Sequence, residues 1–572
     1  MPLSIKASPF SKRIGPFTRS SIHTFRPAIQ LGSRLSQPSV SLRSFGTQTF
    51  RLPSSLTYHR LSQASTNTQW AIGLGVGALL LGGGLALRGE DGDPILNRPN
   101  PADRQALSKL PTSRLVGGWI VYAFCSSSTL IEMSEGLFNI LHNVPVISWF
   151  VDAFARRTFF AQFFAGETAE DSEPNVWVPL RQQSVGVLCG YNVEAKYDGT
   201  HVSPTELAEI IRETLHSISA VGAFGVKHSS PADIQNGDTR CWVRTKLTGL
   251  TTDPEILQRA SDEILANRRD HNAYYPGVPS DGDWEVMMSD RLSAKDHDDL
   301  MSLYSTLKEI MVQGQKYGVR IIIDAEQTWY QPAIDVFTEQ LMRDFNAGNG
   351  PPVVCATFQA YLRRNTDLIN TQIERARAGG YKLIFKQVRG AYIPYEIENW
   401  KRLGKTGPPP VFSTKADTDK SYDYGIELGL RAIREKLDSP KAGDVAVILA
   451  THNEVSIDKA ISLVGELGLG KKQADGSLLI NNFTANRLAF AQIYGMKDSL
   501  TNRAAASIKA ENGLPIVCKS AAYGTLDNAL PNLSRRAVEN KTVMEGRGGA
   551  STERKRLARE LCRRWVPFYS RD

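Results

Sequence analysis

The chain has 572 residues and is 41% hydrophobic, enough to bury a large core and too apolar for a disordered protein. Its formal charge of +8 is confined to one end: no Asp or Glu precedes Glu90, while residues 1–89 carry ten Lys and Arg, leaving 57 basic against 59 acidic residues in the rest. The body of the chain therefore lacks the positive field of a nucleic-acid-binding protein, and that class of partner is excluded.

Residues 1–69 are rich in Ser, Arg and Thr and free of acid, with Arg13, Arg19, Arg26, Arg34, Arg43, Arg51 and Arg60 spread along them. This is the pattern of a mitochondrial transit peptide, disordered in itself. Residues 70–88 follow, in which Trp70–Leu87 is uncharged and, at about 1.5 Å per residue, nearly long enough to cross a bilayer core. Its six glycines suit packing in lipid and weaken a helix in water, so membrane anchor and apolar linker both stand. Residues 89–180 read as a helical N-terminal region, including Leu115–Met133 and Val144–Phe164, with an acidic break at Glu167–Glu173. These helices are expected to pack on the main domain, with peripheral membrane contact the weaker reading.

Residues 181–572 alternate β-rich runs with amphipathic helices. Eight strands are predicted: Ser184–Cys189, Cys241–Leu247, Val319–Asp324, Pro352–Thr357, Leu383–Val388, Asp444–Ala450, Leu488–Ile493 and Leu514–Lys519. The first intervening helix opens on Ser203-Pro204-Thr205-Glu206, a capping box with proline at the first helical position. Eight β/α units predict an α/β fold of the (βα)8 TIM-barrel type, with its active site at the C-terminal ends of the strands; a doubly wound open sheet is the alternative. Stretches around Gly407–Phe412 and Lys471–Ser477 read as surface loops. The six cysteines are far apart, without metal-ligand spacing, and read as buried free thiols; no metal site is expected.

The predicted strand ends present Lys246, Asp324 with Glu326, Gln359, Lys386 with Arg389, Thr451-His452-Asn453, Gln492 and Lys519. Any one of these could simply meet solvent. Together they are harder to dismiss, because Lys246, Asp324 and Lys386 end apolar strands, where buried charges need partners. Near the C-terminus, Glu539 stands four residues from Arg535 and three from Arg536, so one acid could orient two guanidiniums toward a carboxylate ligand; on spacing alone a surface ion pair is the simpler reading.

The runs Ile323-Asp324-Ala325-Glu326-Gln327, Lys386-Gln387-Val388-Arg389-Gly390-Ala391-Tyr392, Ala450-Thr451-His452-Asn453, Tyr494-Gly495-Met496 and Leu533-Ser534-Arg535-Arg536-Ala537-Val538-Glu539-Asn540 closely resemble the proline dehydrogenase family. They fall in that family's order and cover most of residues 115–565. The resemblance implies a distorted barrel holding FAD, with L-proline stacked on the flavin and oxidised to 1-pyrroline-5-carboxylate. By that likeness Arg535 and Arg536 bind the proline carboxylate, Glu539 holds them, Lys246 paired with Asp324 closes the other side, and Tyr392 packs at the site. Flavin contacts would come from Ala325, Gln359, Val388, Arg389, Gly390, Ala391, Thr451 and His452, with Lys386 near the reacting nitrogen. His452 could be taken for a general base; between Thr451 and Asn453 at a strand end it reads better as a hydrogen-bonding cofactor contact.

Three positions depart from the family's pattern: Ser520, just after the last predicted strand, and Asn532 stand where tyrosine is common, and Gln387 stands where leucine is common. A serine leaves room and a hydroxyl partner, which resembles the hydroxyproline-oxidising branch, so 4-hydroxyproline is expected to be tolerated beside proline. Two other classes compete. One is an aldolase-like lyase using Lys246 or Lys386 as a Schiff base, and the other a membrane-anchored scaffold that has lost catalysis. A flavin dehydrogenase with a mitochondrial leader and an apolar segment fits electron delivery to a membrane quinone at the inner membrane or its matrix face. No NAD site is visible.

Overall fold

In the computed structural model the described residues are 101–126, 145–192, 202–235, 237–268, 274–529 and 549–565. The transit-peptide and anchor readings, and the run Leu533–Asn540 with Asn532, lie outside them. All described residues fall within one unit, Gly82–Asp572.

The chain closes an eight-stranded parallel barrel, built from β1 (Val185–Tyr191), β2 (Cys241–Thr245), β3 (Arg320–Ile323), β4 (Val354–Gln359), β5 (Leu383–Val388), β6 (Val445–Ala450), β9 (Leu488–Ile493) and β11 (Val517–Tyr523). The extra strands β7 (Gly470–Lys472), β8 (Leu478–Ile480) and β10 (Ile508–Ala510) form a separate three-stranded sheet. Lys471–Ser477, read as a surface loop, is thus largely a hairpin: β7 and β8 pair antiparallel across a turn with Gly476 at φ +82°. The last barrel strand also runs beyond its predicted end, so Ser520 lies inside β11, paired in register with Leu188 and Ile493.

The serine cap of the predicted capping box forms, Ser203 Oγ accepting the Glu206 amide at 3.2 Å at the head of helix Pro204–Lys227. The helix does break here, at Phe164–Thr168, but most of the acidic stretch that follows is helical. Thr168 Oγ1 accepts the Asp171 amide and caps a short helix, Ala169–Ser172, with Glu170 and Asp171 in the first turn, where negative charge is favoured.

Side chains alternate along each strand, and the alternation separates two cores. Outward residues such as Val187, Val243, Ile321, Phe385 and Phe490 join the helical layer. Inward residues, including Leu188, Trp242, Ile322, Cys355, Ile384 and Cys518, fill the lumen. At the N-terminal end of the barrel the Trp242 ring lies beneath the guanidiniums of Arg240 and Arg320, 5.2 and 5.8 Å from its centre. The buried Asp238 carboxylate lies 3.7 Å from Arg240 and 3.1 Å from Arg320. The barrel is plugged from below by this self-paired cluster and the apolar layer above it, and a second polar layer, open to a ligand, is at the C-terminal mouth.

A third core joins helices Thr112–Cys125 and Ala550–Trp565 to the loop after β9, through Leu115, Val121, Leu557, Leu561 and Met496. Tyr494-Gly495-Met496 is where they dock. Tyr122 Oη and Gln162 Nε2 both donate to the Gly495 carbonyl at 2.8 Å, and Arg114 donates to Tyr494 Oη at 2.6 Å. No described helix is long and apolar enough to cross a membrane. All six cysteines are free thiols.

Gly495 has φ +73°, and a Cβ there would collide with the Gln162 carbonyl. Gly476 has a similar φ with open space around it. Gly495→Ala is therefore expected to cost about 3 kcal/mol or more, combining backbone strain with a steric clash, and Gly476→Ala only about 1 kcal/mol. Urea unfolding of the two variants checks the ranking.

Candidate active site

Two residues above the apolar lumen layer, the strands present Gly190 (β1), Arg244 (β2), Asp324 (following β3), Thr357 (β4) and Lys386 (β5), all on the inward parity fixed by Leu188, Trp242, Ile322, Cys355 and Ile384. Lys386, 8% exposed, donates from Nζ to Asp324 Oδ1 at 2.5 Å. Arg244 Nη1 reaches Asp324 Oδ2 at 3.4 Å. Burial pushes the Asp324 carboxyl up, but Lys386, Arg244 and then Lys246 outweigh it and hold the group below the usual carboxylate range. The carboxylate expected to pair with Lys246 is thus held most closely by Lys386 and Arg244.

Glu326, two residues on, behaves oppositely. It is 3% exposed and accepts from Thr248 N at 3.1 Å and Thr248 Oγ1 at 2.5 Å, yet burial outweighs these bonds and the Lys246 charge, so its carboxyl is pushed up. Its backbone is tied as well: the amide donates to Gln331 Oε1 at 2.8 Å, and the carbonyl accepts from Gln359 Nε2 at 3.0 Å.

On the β5–β6 side, Arg389 donates to Thr451 Oγ1 at 3.2 Å and Ser456 Oγ at 2.9 Å, pairs with Asp419 at 2.6 Å, and lies 4.5 Å over the Tyr422 ring. Gly390 has φ +140° and sits so close to the Tyr361 ring that no Cβ would fit. Tyr392 is buried at the head of helix Ile393–Arg402, while Ala391 beside it is exposed. His452 Nε2 accepts the Ile493 amide at 3.0 Å, which commits that nitrogen as an acceptor and removes it from proton abstraction. Val388 and Ala325 flank the same mouth, each partly exposed.

Two of the residues read as strand-end groups, Gln492 and Lys519, do not face the lumen, and neither does Gln387, read as a departure from the family's leucine. Gln387 points out against helix Lys415–Asp438, where its amide packs on Gly425 and donates to the Tyr422 carbonyl at 3.4 Å, so its departure from leucine does not bear on the pocket wall. Gln492 turns outward to Thr451 O and Thr501. Lys519 lies on the outward side of β11 and holds the loop after β9 through Met496 O at 2.7 Å and Asp498 at 2.7 Å. Ser520, by contrast, has inward parity. Arg535, Arg536 and Glu539 are outside the described residues. Strand-end reading missed Arg244, although counting by twos from Lys246 places it on the same face; it also missed Thr248, which is in the turn Leu247–Leu250.

A family model described as "Proline dehydrogenase" matches residues 179–546. Proline dehydrogenase 1, mitochondrial, of Drosophila melanogaster is 31% identical over 288 residues, covering 50% of this chain and 38% of the relative. Human hydroxyproline dehydrogenase is 26% identical over 433 residues, covering 73% of this chain and 83% of the relative. The crystal structure of proline utilization A from Bdellovibrio bacteriovorus inactivated by N-propargylglycine superposes with a TM-score of 0.53 at 18% identity, over 78% of this chain and 41% of that one, a likeness of fold. The match therefore spans less than half the length of the fly protein and of the bacterial protein.

The two carboxyls predict opposite responses to pH. Asp324→Ala leaves Lys386 and Arg244 facing each other without a counter-charge and should cost about 3–5 kcal/mol at neutral pH. Because the folded carboxyl lies below its unfolded value, that contribution is present above the unfolded pKa of about 4 and fades as pH falls through the folded one. Glu326 is raised above 4.5, so its contribution is full below that value and is lost as pH rises through its folded pKa. Glu326→Gln should accordingly gain stability relative to the native chain between about pH 5 and pH 8. Urea unfolding across that range, extended to about pH 3 for Asp324→Ala, measures both.

Proposed function

We propose, from the premise that the chain belongs to the proline dehydrogenase family, that it oxidises L-proline to 1-pyrroline-5-carboxylate with FAD as the electron acceptor. The observation that carries this reading is the layer at the mouth, where one ionised carboxylate is shared by two cations above an apolar, plugged lumen.

The residues present suit a flavin. Thr357 Oγ1 and Gln359 Oε1 are buried on successive inward positions of β4 and make no hydrogen bond within the described chain, so they suit a polar ligand at the mouth. Gln359, Ala325, Val388, Arg389, Gly390, Ala391, Thr451 and His452 would hold it, with Arg389 already fixed on three sides and Gly390 allowing close backbone approach. FAD, when bound, supplies the acceptor for the hydride that leaves the ring carbon beside the proline nitrogen.

The protein's own part is orientation and field. Arg535 and Arg536, braced by Glu539, would grip the substrate carboxylate by paired guanidinium forks, with Lys246 on the other side. Tyr392 would pack against the ring. The nitrogen must be unprotonated for its lone pair to form the C=N bond, and the positive charge of Lys246, Lys386 and Arg244 disfavours its protonation. Asp324, held ionised, keeps Lys386 in place and acts only as an acceptor. Lys386, Asp324 and Lys246 are thus the catalytic groups.

Human hydroxyproline dehydrogenase among the relatives, together with Ser520 on the inward side of β11, favours a second substrate, 4-hydroxyproline. Electron delivery to a membrane quinone, at the mitochondrial inner membrane or its matrix face, rests on the Arg-rich leader, on Trp70–Leu87 and on the mitochondrial name of the fly relative.

The purified chain should carry a visible flavin band that bleaches on anaerobic addition of L-proline; a colourless folded protein ends the flavoenzyme reading. Lys386→Met should keep the band and slow its bleaching about 100-fold. Turnover of 4-hydroxyproline should fall in Ser520→Tyr while proline turnover persists, and the absence of any hydroxyproline turnover in the native chain removes the second substrate.

A further inference from the structure

Arg244 is large and cationic, and it enters the lumen only because its neighbour on β1 has no side chain. A Cβ at Gly190 would lie 2.7 Å from Arg244 Cγ and 3.1 Å from its Nε. Gly190 is not among the positive-φ glycines, so space and not backbone conformation explains it. The guanidinium thus placed meets Asp324 Oδ2 at 3.4 Å, on the far side of the carboxylate from Lys386. Among the described residues, the charged or titratable groups around this centre are Asp324, Lys386, Lys246, Glu326, Cys355 on β4, and Cys189 and Tyr191 on β1. Arg244, Lys386 and Lys246 stand around an Asp324 carboxyl held below its usual range and a Glu326 carboxyl pushed up by burial, so Arg244 adds a full positive charge beside the one carboxylate held ionised.

We propose that Arg244 is a positioning residue for the oxidation described above: it holds Asp324 Oδ2 so that Oδ1 faces Lys386, and it adds positive charge that disfavours the ammonium form of the substrate. This rests on the proline dehydrogenase reading. It requires no added reactant, since Arg244 neither gains nor loses a bond.

The test compares Arg244→Met, close in length but uncharged, with Arg244→Lys, following the rate of flavin bleaching by L-proline as a function of pH. In Arg244→Met the acid limb should move up by about one pH unit, because the substrate nitrogen keeps its proton longer, and Arg244→Lys should bring it back toward the native position. A role in packing alone would lower stability or rate in both variants and leave the limb where it is; coincident limbs in all three proteins overturn the proposal. Urea unfolding of the same holoproteins gives a readout independent of turnover. The stability gap between the native chain and Arg244→Met should close as pH falls and Asp324 is protonated, and a gap that does not change with pH counts against the ion pair. If the native chain is not bleached by proline at any pH, the functional reading itself fails, and the unfolding series alone then decides whether Arg244 holds Asp324.

Discussion

The Asp324 carboxylate is the constraint around which the lumen is built. Below it lie an apolar layer and then Trp242 stacked with the guanidiniums of Arg240 and Arg320, so the cations above cannot reach solvent through the bottom. Lys386 stands on β5 and Asp324 follows β3, with β4 between them, and the bridge is direct because the intervening inward residue is the small Thr357. On the opposite flank Gly190 makes the same allowance for Arg244. Small residues on β1 and β4 thus make room for two long cationic side chains, from β2 and β5, to meet the Asp324 carboxylate after β3. Removing the carboxylate would strand both cations, which is why buried ion clusters of this kind tolerate the loss of one partner poorly even where their net contribution to stability is modest.

A second use of a buried charge appears on the outside of the barrel. Lys519 interrupts β11 on its helix-facing side, where burial pushes its amine down and Asp498 opposes that shift. Its donors satisfy the Ile493 and Met496 carbonyls, which have turned out of the ladder at the end of β9. The loop so fixed presents the Gly495 carbonyl outward, and that one acceptor receives both Tyr122 and Gln162 from the N-terminal helices. The tie continues at the other end of those helices, where Asp103 binds Arg556 of the C-terminal helix at 2.6 Å and Asn502 at 2.8 Å. The N-terminal and C-terminal helices therefore brace the β9–β11 side of the mouth from outside, while the charged layer braces the β2–β5 side from within.

The barrel was legible because its strands are short β-branched or aromatic runs separated by amphipathic helices with recognisable caps, as at Ser203. What failed was the reading of faces and ends. Gln387, Gln492 and Lys519 are polar and near strand ends, and proximity to an end says nothing about which side of the sheet a residue occupies; period two does, and counted from Lys246 or Lys386 it separates Lys386 from Gln387 and recovers Arg244. The end of β11 was set too early because Ser520-Ala521-Ala522 has little strand propensity of its own and is held by pairing with β1 on one side and, through Ser520, with β9 on the other. The hairpin of β7 and β8 was hidden because each strand has only three residues. A carboxylate-binding role for the run near Arg535 is implied by resemblance alone, since its spacing is that of an ordinary helix-surface ion pair.

Asp324 and Glu326 lie two residues apart in one loop and are pushed in opposite directions for a readable reason: the first faces two cations directly, and the second is buried with only the Thr248 amide and hydroxyl as close partners. Division of labour follows from that difference. Asp324 stays charged and orders cations, while Glu326 anchors the loop so that its backbone can order Gln359. The Glu326 carbonyl can only accept, so the Gln359 amide must turn its NH2 toward it, and this leaves Oε1 as the group offered to the mouth. Whatever binds there meets an acceptor whose direction is set by the loop that carries Asp324. A ligand group that meets Gln359 Oε1 is then one that donates a hydrogen bond, while the Thr357 hydroxyl two residues earlier can donate or accept.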